Sequence, residues 1–314
     1  MPSILQANNL SKNYGELTAV DDVSFDIQDG EIFSLLGPNG AGKTTTISML
    51  STLLAPSSGD ALINGCSILS DNMQVRKCIG VVPQEIALYD DLTALENLIY
   101  WGRLYDLDGQ ELNQRVNEVL GIIDLKDRAK DRIKTYSGGM KRRINIAAGL
   151  LHKPKLLFMD EPTVGIDPQS RRMILDMVKE LNNQGMSILY TTHYMEEAQE
   201  LSDRVGIIDQ GKLIAIGTQN ELTQQVGESD SIRIETDPMD DLPSIASQLE
   251  GFGEISQVMV EADGLTLITK DAEHNLAPII TQTVQAGARI KSVEVIEPNL
   301  ETVFLQLTGR ALRD

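Results

Sequence analysis

Several short stretches of this 314-residue chain combine residue types able to handle phosphate. The first is GPNGAGKTT, from Gly37 to Thr45, which fits the spacing G-x-x-x-x-G-K-[ST]. Gly37, Gly40 and Gly42 allow backbone N–H groups to turn inward around an anion, and a following helix N-terminus adds positive dipole there. Pro38, Asn39, Ala41 and Thr45 complete the loop, Lys43 has the reach for β- and γ-phosphates, and the Thr44 hydroxyl suits Mg²⁺.

A second stretch, KLLFMDEPTVGID, carries Asp160 and Glu161 after four apolar residues. Paired carboxylates at the end of a buried strand are costly unless a cation or proton offsets them, so a metal is expected nearby. Asp160 suits the Mg²⁺ side, which leaves Glu161 to orient or deprotonate a water. A third, YSGGMKRR, places Ser137, Gly138 and Gly139 where a helix begins, with Lys141, Arg142 and Arg143 adding positive potential. An anion site and a plain helix cap both account for it. Three single residues remain open between chemistry and packing: His193 at the end of SILYTTH, Gln84 after IGVVP, and Tyr14, an aromatic able to stack on a base.

Each of these must be positioned by an element. ILQANNLSKNY and AVDDVSFDI alternate weakly, with Gly15 and Gly30 as breakers, and predict two antiparallel strands leading into the strand Ile32–Leu36. Ile47, Leu50, Leu53 and Leu54 recur at helical spacing after the glycine loop. IGVVPQ predicts a buried strand ending at Pro83. From Leu92 to about Leu151 the pattern is helical, with Leu95, Leu98, Ile99 and Leu104 on one face, then Val116, Val119, Leu120 and Ile123. SRRMILDMVKELNNQG predicts a helix, and VGIIDQGKLIAIG a hairpin turning at Gln210-Gly211. Beyond Gly217 the order becomes βαββαβ, the split βαβ or ferredoxin-like motif. A last amphipathic segment, NLETVFLQLTGR, has Leu300, Val303, Phe304 and Leu307 at helical spacing and packs by default on its own domain.

Bulk properties narrow the classes. No run of about 18 apolar residues occurs, and the first residues have neither a basic start nor an apolar core, so no membrane span and no signal peptide are expected. Cys66 and Cys78 lack metal-ligand spacing and are expected to be free, buried thiols. Net charge is −19, and residues 218–314, with 6 basic and 17 acidic side chains, hold −11 of it. That excess disfavours nucleic acid as a partner.

GPNGAGKTT, VVPQ, YSGGM, LLFMDEPTVGID and TTH, in that order over residues 4–220, resemble the ATP-binding cassette (ABC) ATPases. YSGGM departs at both ends from the more usual LSGGQ, and this wording, with the acidic C-terminal extension, resembles the drug-resistance (DrrA-like) exporter subfamily. The resemblance implies an α/β fold: a P-loop ABC-type nucleotide-binding domain over residues 1–220 with a helical subdomain at about 85–151, plus a small α+β ferredoxin-like accessory or regulatory domain over 230–314. It implies an ATPase of an ABC transporter, using ATP and Mg²⁺ and powering export through a separate membrane permease. The subunit would be cytoplasmic, peripheral on the inner face of the membrane, and docked through the region Gln84 to Tyr105. By resemblance Tyr14 stacks on adenine and Gly37 to Thr45 hold the phosphates. Thr44, Gln84 and Asp160 surround Mg²⁺, Glu161 is the catalytic base, and His193 holds the γ-phosphate and attacking water. Ser137, Gly138 and Gly139, with Asp167 beside them, meet the ATP of a second copy in a sandwiched homodimer, where Met140 lacks the amide that Gln would supply. Two rivals are a soluble cassette protein acting on ribosomes, DNA repair or protein assembly, and a simple P-loop kinase. The first calls for two cassettes, a basic linker or a long coiled coil in the chain, and the second leaves YSGGM without a purpose.

Overall fold

The computed structural model describes residues 2–225, 229–237, 239–252, 254–261, 263–270, 272–296 and 299–308. They divide into two units, Met1–Ile216 and Gly217–Arg313. The first unit begins with β1 (Ser3–Tyr14) and β2 (Leu17–Gln28), antiparallel across a turn at Gly15, where φ is +62°. Then follow β3 (Ile32–Leu36), α1 (Lys43–Leu50), β4 (Ser58–Ile63), β5 (Cys66–Ser67), α2 (Asn72–Cys78) and β6 (Ile79–Val82). Helix α1 stops at Leu50, earlier than the periodicity predicts: Thr52 takes φ +61° and Leu53 turns out to solvent. The thiols of Cys66 and Cys78 are free but half-buried rather than buried.

The helical stretch consists of α3 (Ala94–Leu104), α4 (Gly109–Ile122), two short 3-10 turns, and α5 (Gly138–Leu150). Thr93 starts α3 with a reciprocal cap: its hydroxyl accepts from Glu96 N while the Glu96 carboxylate accepts from Thr93 N. Leu98 is buried, but Leu104 is 58% exposed because the helix ends there and the chain turns at Asp106 with φ +60°. After it come β7 (Leu156–Asp160), α6 (Pro168–Asn183), β8 (Ser187–Thr192), α7 (Met195–Leu201), β9 (Arg204–Asp209) and β10 (Lys212–Gly217). The β9–β10 turn falls at Gln210 and Gly211, both at positive φ as a two-residue hairpin turn requires.

Two sheets result, β2-β1-β4-β5 and β10-β9-β3-β8-β7-β6. In the second, β9, β3, β8, β7 and β6 run parallel. Every residue of β3, β7 and β8 is buried, as expected for parallel strands covered on both faces. Their side chains alternate between two cores: Phe33, Leu35, Phe158 and Leu189 pack with β1, β2 and α1, while Ile32, Leu157, Met159, Ile188 and Tyr190 pack with α3 to α6. Each such side chain contributes roughly 1.5–3 kcal/mol by leaving water. The topology has a direct chemical consequence. Because β3, β8, β7 and β6 are parallel neighbours, the residues that follow their C-terminal ends share one edge: Gly37, His193, Glu161 and Gln84, in that order.

The second unit contains α8 (Gln219–Gln225), β11 (Ser229–Thr236), α9 (Leu242–Leu249), β12 (Ile255–Val260), β13 (Gly264–Lys270), α10 (Ala272–Gln285), β14 (Ile290–Ile296) and α11 (Leu300–Thr308). Its antiparallel sheet has the order β12-β13-β11-β14. Ile232, Ile234, Ile245, Leu249, Leu265, Leu267 and Ile279 form a separate core. Helix α8 belongs here, ahead of the expected start at residue 230, and packs with α11. In α11, Leu300, Val303 and Phe304 are buried but Leu307 is 38% exposed; Leu305 takes its place inward, against Met259 and Ile268. The final stretch expected to continue this segment, residues 309–314, lies outside the described residues.

Candidate functional site

Strand β3 delivers the chain directly into the glycine loop. A Cβ at Gly37 would stand 2.1 Å from the Ile208 carbonyl oxygen, and one at Gly42, where φ is +105°, 2.6 Å from that of Ala19. Both positions therefore demand glycine. Gly40, at φ +80°, has open space where a side chain would be, on the outer face of the loop with exposed Asn39. The β9–β10 turn backs the loop: Gly211 N donates to Ala41 O at 3.0 Å, and Asp21 N to Gly211 O at 2.8 Å. Ala41 is buried, Pro38 and Thr45 are half-buried, and α1 starts at Lys43. The buried Lys43 ammonium donates to the carbonyls of Gly37 (2.6 Å) and Pro38 (2.9 Å) and lies 3.0 Å from Glu161 Oε1.

The two carboxylates diverge at the end of β7. Asp160 accepts from the Thr191 hydroxyl at 2.7 Å and from that of Thr44. Burial pushes its carboxyl above the usual aspartate range, aided by the neighbouring Glu161 charge and opposed by those two hydroxyls and by Lys43. Glu161 sits at φ +44°, rare for a residue with a side chain, and its N–H lies within bonding distance of both the carbonyl and the hydroxyl of Thr191. That turn sends its carboxylate to Lys43 on one side and His193 on the other, whose Nδ1 is 3.3 Å from Glu161 Oε2. Glu161 is thus tethered to Lys43 rather than free. Lys43, Thr44, Asp160, Glu161 and His193, predicted from five separate motif positions, form one connected group.

Ser137, Gly138, Gly139 and Asp167 form a second group. The Ser137 hydroxyl caps α5 through Met140 N, and the Asp167 carboxylate caps α6 through Ser170 N. Gly139 lies against Ser170, where a Cβ would stand 2.1 Å from the hydroxyl oxygen. Among the described residues no hydrogen bond or ion pair joins this group to Lys43 or Glu161. The expected positive potential of the Lys-Arg-Arg run is not aimed at this helix start. Lys141 pairs with Asp90 at 2.7 Å, Arg142 donates to the carbonyls of Pro83 (2.7 Å) and Gln84 (2.5 Å), and Arg143 donates to the Ile123 carbonyl. The Gln84 side chain is exposed after β6, with its backbone held by Arg142. Tyr14, half exposed at the end of β1, has the Lys12 ammonium 5.6 Å from its ring centroid.

Two contributors escape motif reading. Thr191 holds both Asp160 and the Glu161 backbone, and the pair of threonines before His193 is the only trace of it in sequence. Arg142 pins the Gln84 backbone from α5, and nothing in its neighbours reveals which way it faces. The donor set near Asp160 fits Mg²⁺, which takes hard oxygen ligands from one or two carboxylates and from substrate phosphate. Among the described residues no group of three or more His, Cys, Asp or Glu gathers as a metal cage. The glycine cradle, which side chains at Gly37 and Gly42 would fill, fits a polyphosphate.

Known proteins share much of this sequence and fold. The family profile described as ABC transporter matches residues 20–164. Linearmycin resistance ATP-binding protein LnrL of Bacillus subtilis is 48% identical over 99% of this chain and 100% of its own length. Doxorubicin resistance ATP-binding protein DrrA of Mycobacterium tuberculosis is 40% identical, covering 96% and 92%. Among solved structures, the dimeric post-hydrolysis ATP-binding cassette MJ0796 bound to ADP and Pi matches with a TM-score of 0.62 at 27% identity, over 68% of this chain and 98% of that one.

Proposed function

Since the chain belongs to the ABC transporter family, as an ATP-binding, ATP-hydrolysing subunit, we propose that it powers export of a toxic compound through a separate membrane permease. The relatives named for resistance support that direction. Among the described residues no helix is long and apolar enough to cross a membrane, so transport calls for a partner that does. In this reading the subunit works on the cytoplasmic face of the membrane, and the region Gln84 to Tyr105 meets the permease.

The observation that carries the catalytic part is the Lys43–Glu161–His193 group at adjoining strand ends. Lys43 and the loop amides would hold the β- and γ-phosphates, with Tyr14 against the adenine. Thr44, with Gln84 and Asp160, would hold Mg²⁺, which would supply charge neutralisation on the phosphates. Glu161 would take the proton of a water attacking the γ-phosphate in line, releasing ADP and phosphate, while His193 orients that water. Among the described residues no hydrogen bond or ion pair joins the Ser137–Gly139 and Asp167 group to Lys43 within one chain, which suits a site completed by a second copy. ATP bound between two copies would favour the closed dimer by differential affinity, and hydrolysis would remove it.

Replacing the base tests this. Glu161→Gln should bind ATP, lower turnover by about a hundredfold or more, and elute as an ATP-dependent dimer in size-exclusion chromatography. Rapid hydrolysis by that variant would overturn the assignment.

A further inference from the structure

Glu197, on α7 four residues beyond His193, is 1% exposed and takes no part in the phosphate chemistry above. Its two oxygens accept four hydrogen bonds. The Thr163 hydroxyl (2.6 Å) and Arg171 Nε (2.7 Å) share one, and the hydroxyls of Tyr190 and Thr192 (2.9 Å each) share the other. The donors come from the loop after Glu161, the first turn of α6, and β8, the strand that leads into His193. Burying a carboxylate is costly, and an apolar side chain would be cheaper if packing were all that mattered.

The link to His193 runs by two routes. Thr192, adjacent to it, donates to Glu197 and accepts from Tyr194 N at 2.9 Å, closing the turn that carries the imidazole. Arg171, held by Glu197, places its guanidinium carbon 4.2 Å from the Tyr194 ring centroid, and the imidazole lies 4.2 Å from that same ring. Nδ1 of His193 has no aligned hydrogen bond of its own among the described residues. The ring is therefore oriented by its turn and its neighbours.

We propose that Glu197 is a positioning residue for His193: it fixes the Thr192–Tyr194 turn and the Arg171–Tyr194 stack, and so keeps the imidazole beside Glu161. The inference rests on the role given to His193 above. Glutamine at this position keeps the shape but offers one acceptor oxygen, so two of the four donors would face an N–H.

The test uses the full chain, ¹⁵N-labelled. Its three histidines give separable ring signals, and the one lost in His193→Ala identifies residue 193. Glu197→Gln should lower kcat about tenfold with ATP affinity within about twofold, and should move the His193 ring signals while those of His152 and His274 stay in place. An unchanged kcat overturns the proposal, as does a fall in kcat with the His193 signals unmoved. If Glu197→Gln does not fold, Arg171→Lys, which keeps the charge but loses the planar stack, is read by the same criteria. Wild-type turnover in His193→Ala would instead remove the catalytic role of His193, a failure that the ring shifts of Glu197→Gln distinguish from failure of the Glu197 link.

Discussion

Burial works against Asp160 while Thr191, Thr44 and Lys43 work for it, and burial is the larger effect. Because the folded value lies above the unfolded one, the folded chain retains a proton that the unfolded chain has lost between those two values. Stability therefore falls as pH rises through that window, and the full penalty stands above it. Asp160→Asn removes the penalty. At pH 7 the variant should melt higher in the absence of nucleotide, by about 2–4 °C for each kcal/mol recovered, and the difference should vanish below the ordinary aspartate range. Thermal scans at a series of pH values check this. The same variant should lose about ten- to a hundredfold in Mg²⁺ affinity, read from the Mg²⁺ dependence of ATP turnover. A residue whose removal stabilises the fold and impairs activity is held for function.

At the scale of elements, α5 holds the chain after β6 with three side chains: Arg142 takes the Pro83 and Gln84 carbonyls, Asn145 bonds to Glu85 and Ala87, and Lys141 pairs with Asp90. Arg142→Met keeps the helix but leaves two carbonyls without their donor, which should cost about 1–3 kcal/mol in urea unfolding and raise the Mg²⁺ concentration needed for half-maximal turnover. An unaltered Mg²⁺ requirement would mean that Gln84 holds its place without this clamp. The same helix marks where sequence reading stops. The strands that carry Gly37, Glu161 and His193 were legible because parallel strands covered on both faces appear as unbroken apolar runs ending in the reactive residues. Arg142 was not, because a cation after a glycine turn looks the same whether it faces an anion or two carbonyls across a packed interface. Leu104 and Leu307 fit their apolar stripes by spacing, yet each lies near the end of its helix and remains exposed. Periodicity tells which residues share a face, but not where the core beneath that face ends. The hydrogen bonds around Glu197 are likewise set by tertiary packing, and no local pattern announces them.

At the scale of the molecule, the proposed ATP-bound dimer would bring together chains of net charge −19 each. Long-range repulsion opposes that approach, and salt screens it, the Debye length shrinking from about 30 Å at 0.01 M to about 8 Å at 0.15 M. The ATP-bound dimer of Glu161→Gln should accordingly tighten as salt rises across this range, measured by sedimentation; weakening with salt would point to attractive ion pairs dominating the contact. A different consequence follows from the turn at Gln210 and Gly211. A two-residue hairpin tip is ordinarily where an engineer would splice in a fluorescent protein or an epitope. Here the tip is a buttress, since Gly211 bonds to Ala41 and Asp21 and stands against Gly42. An insertion at that tip would report on the phosphate loop by disabling it.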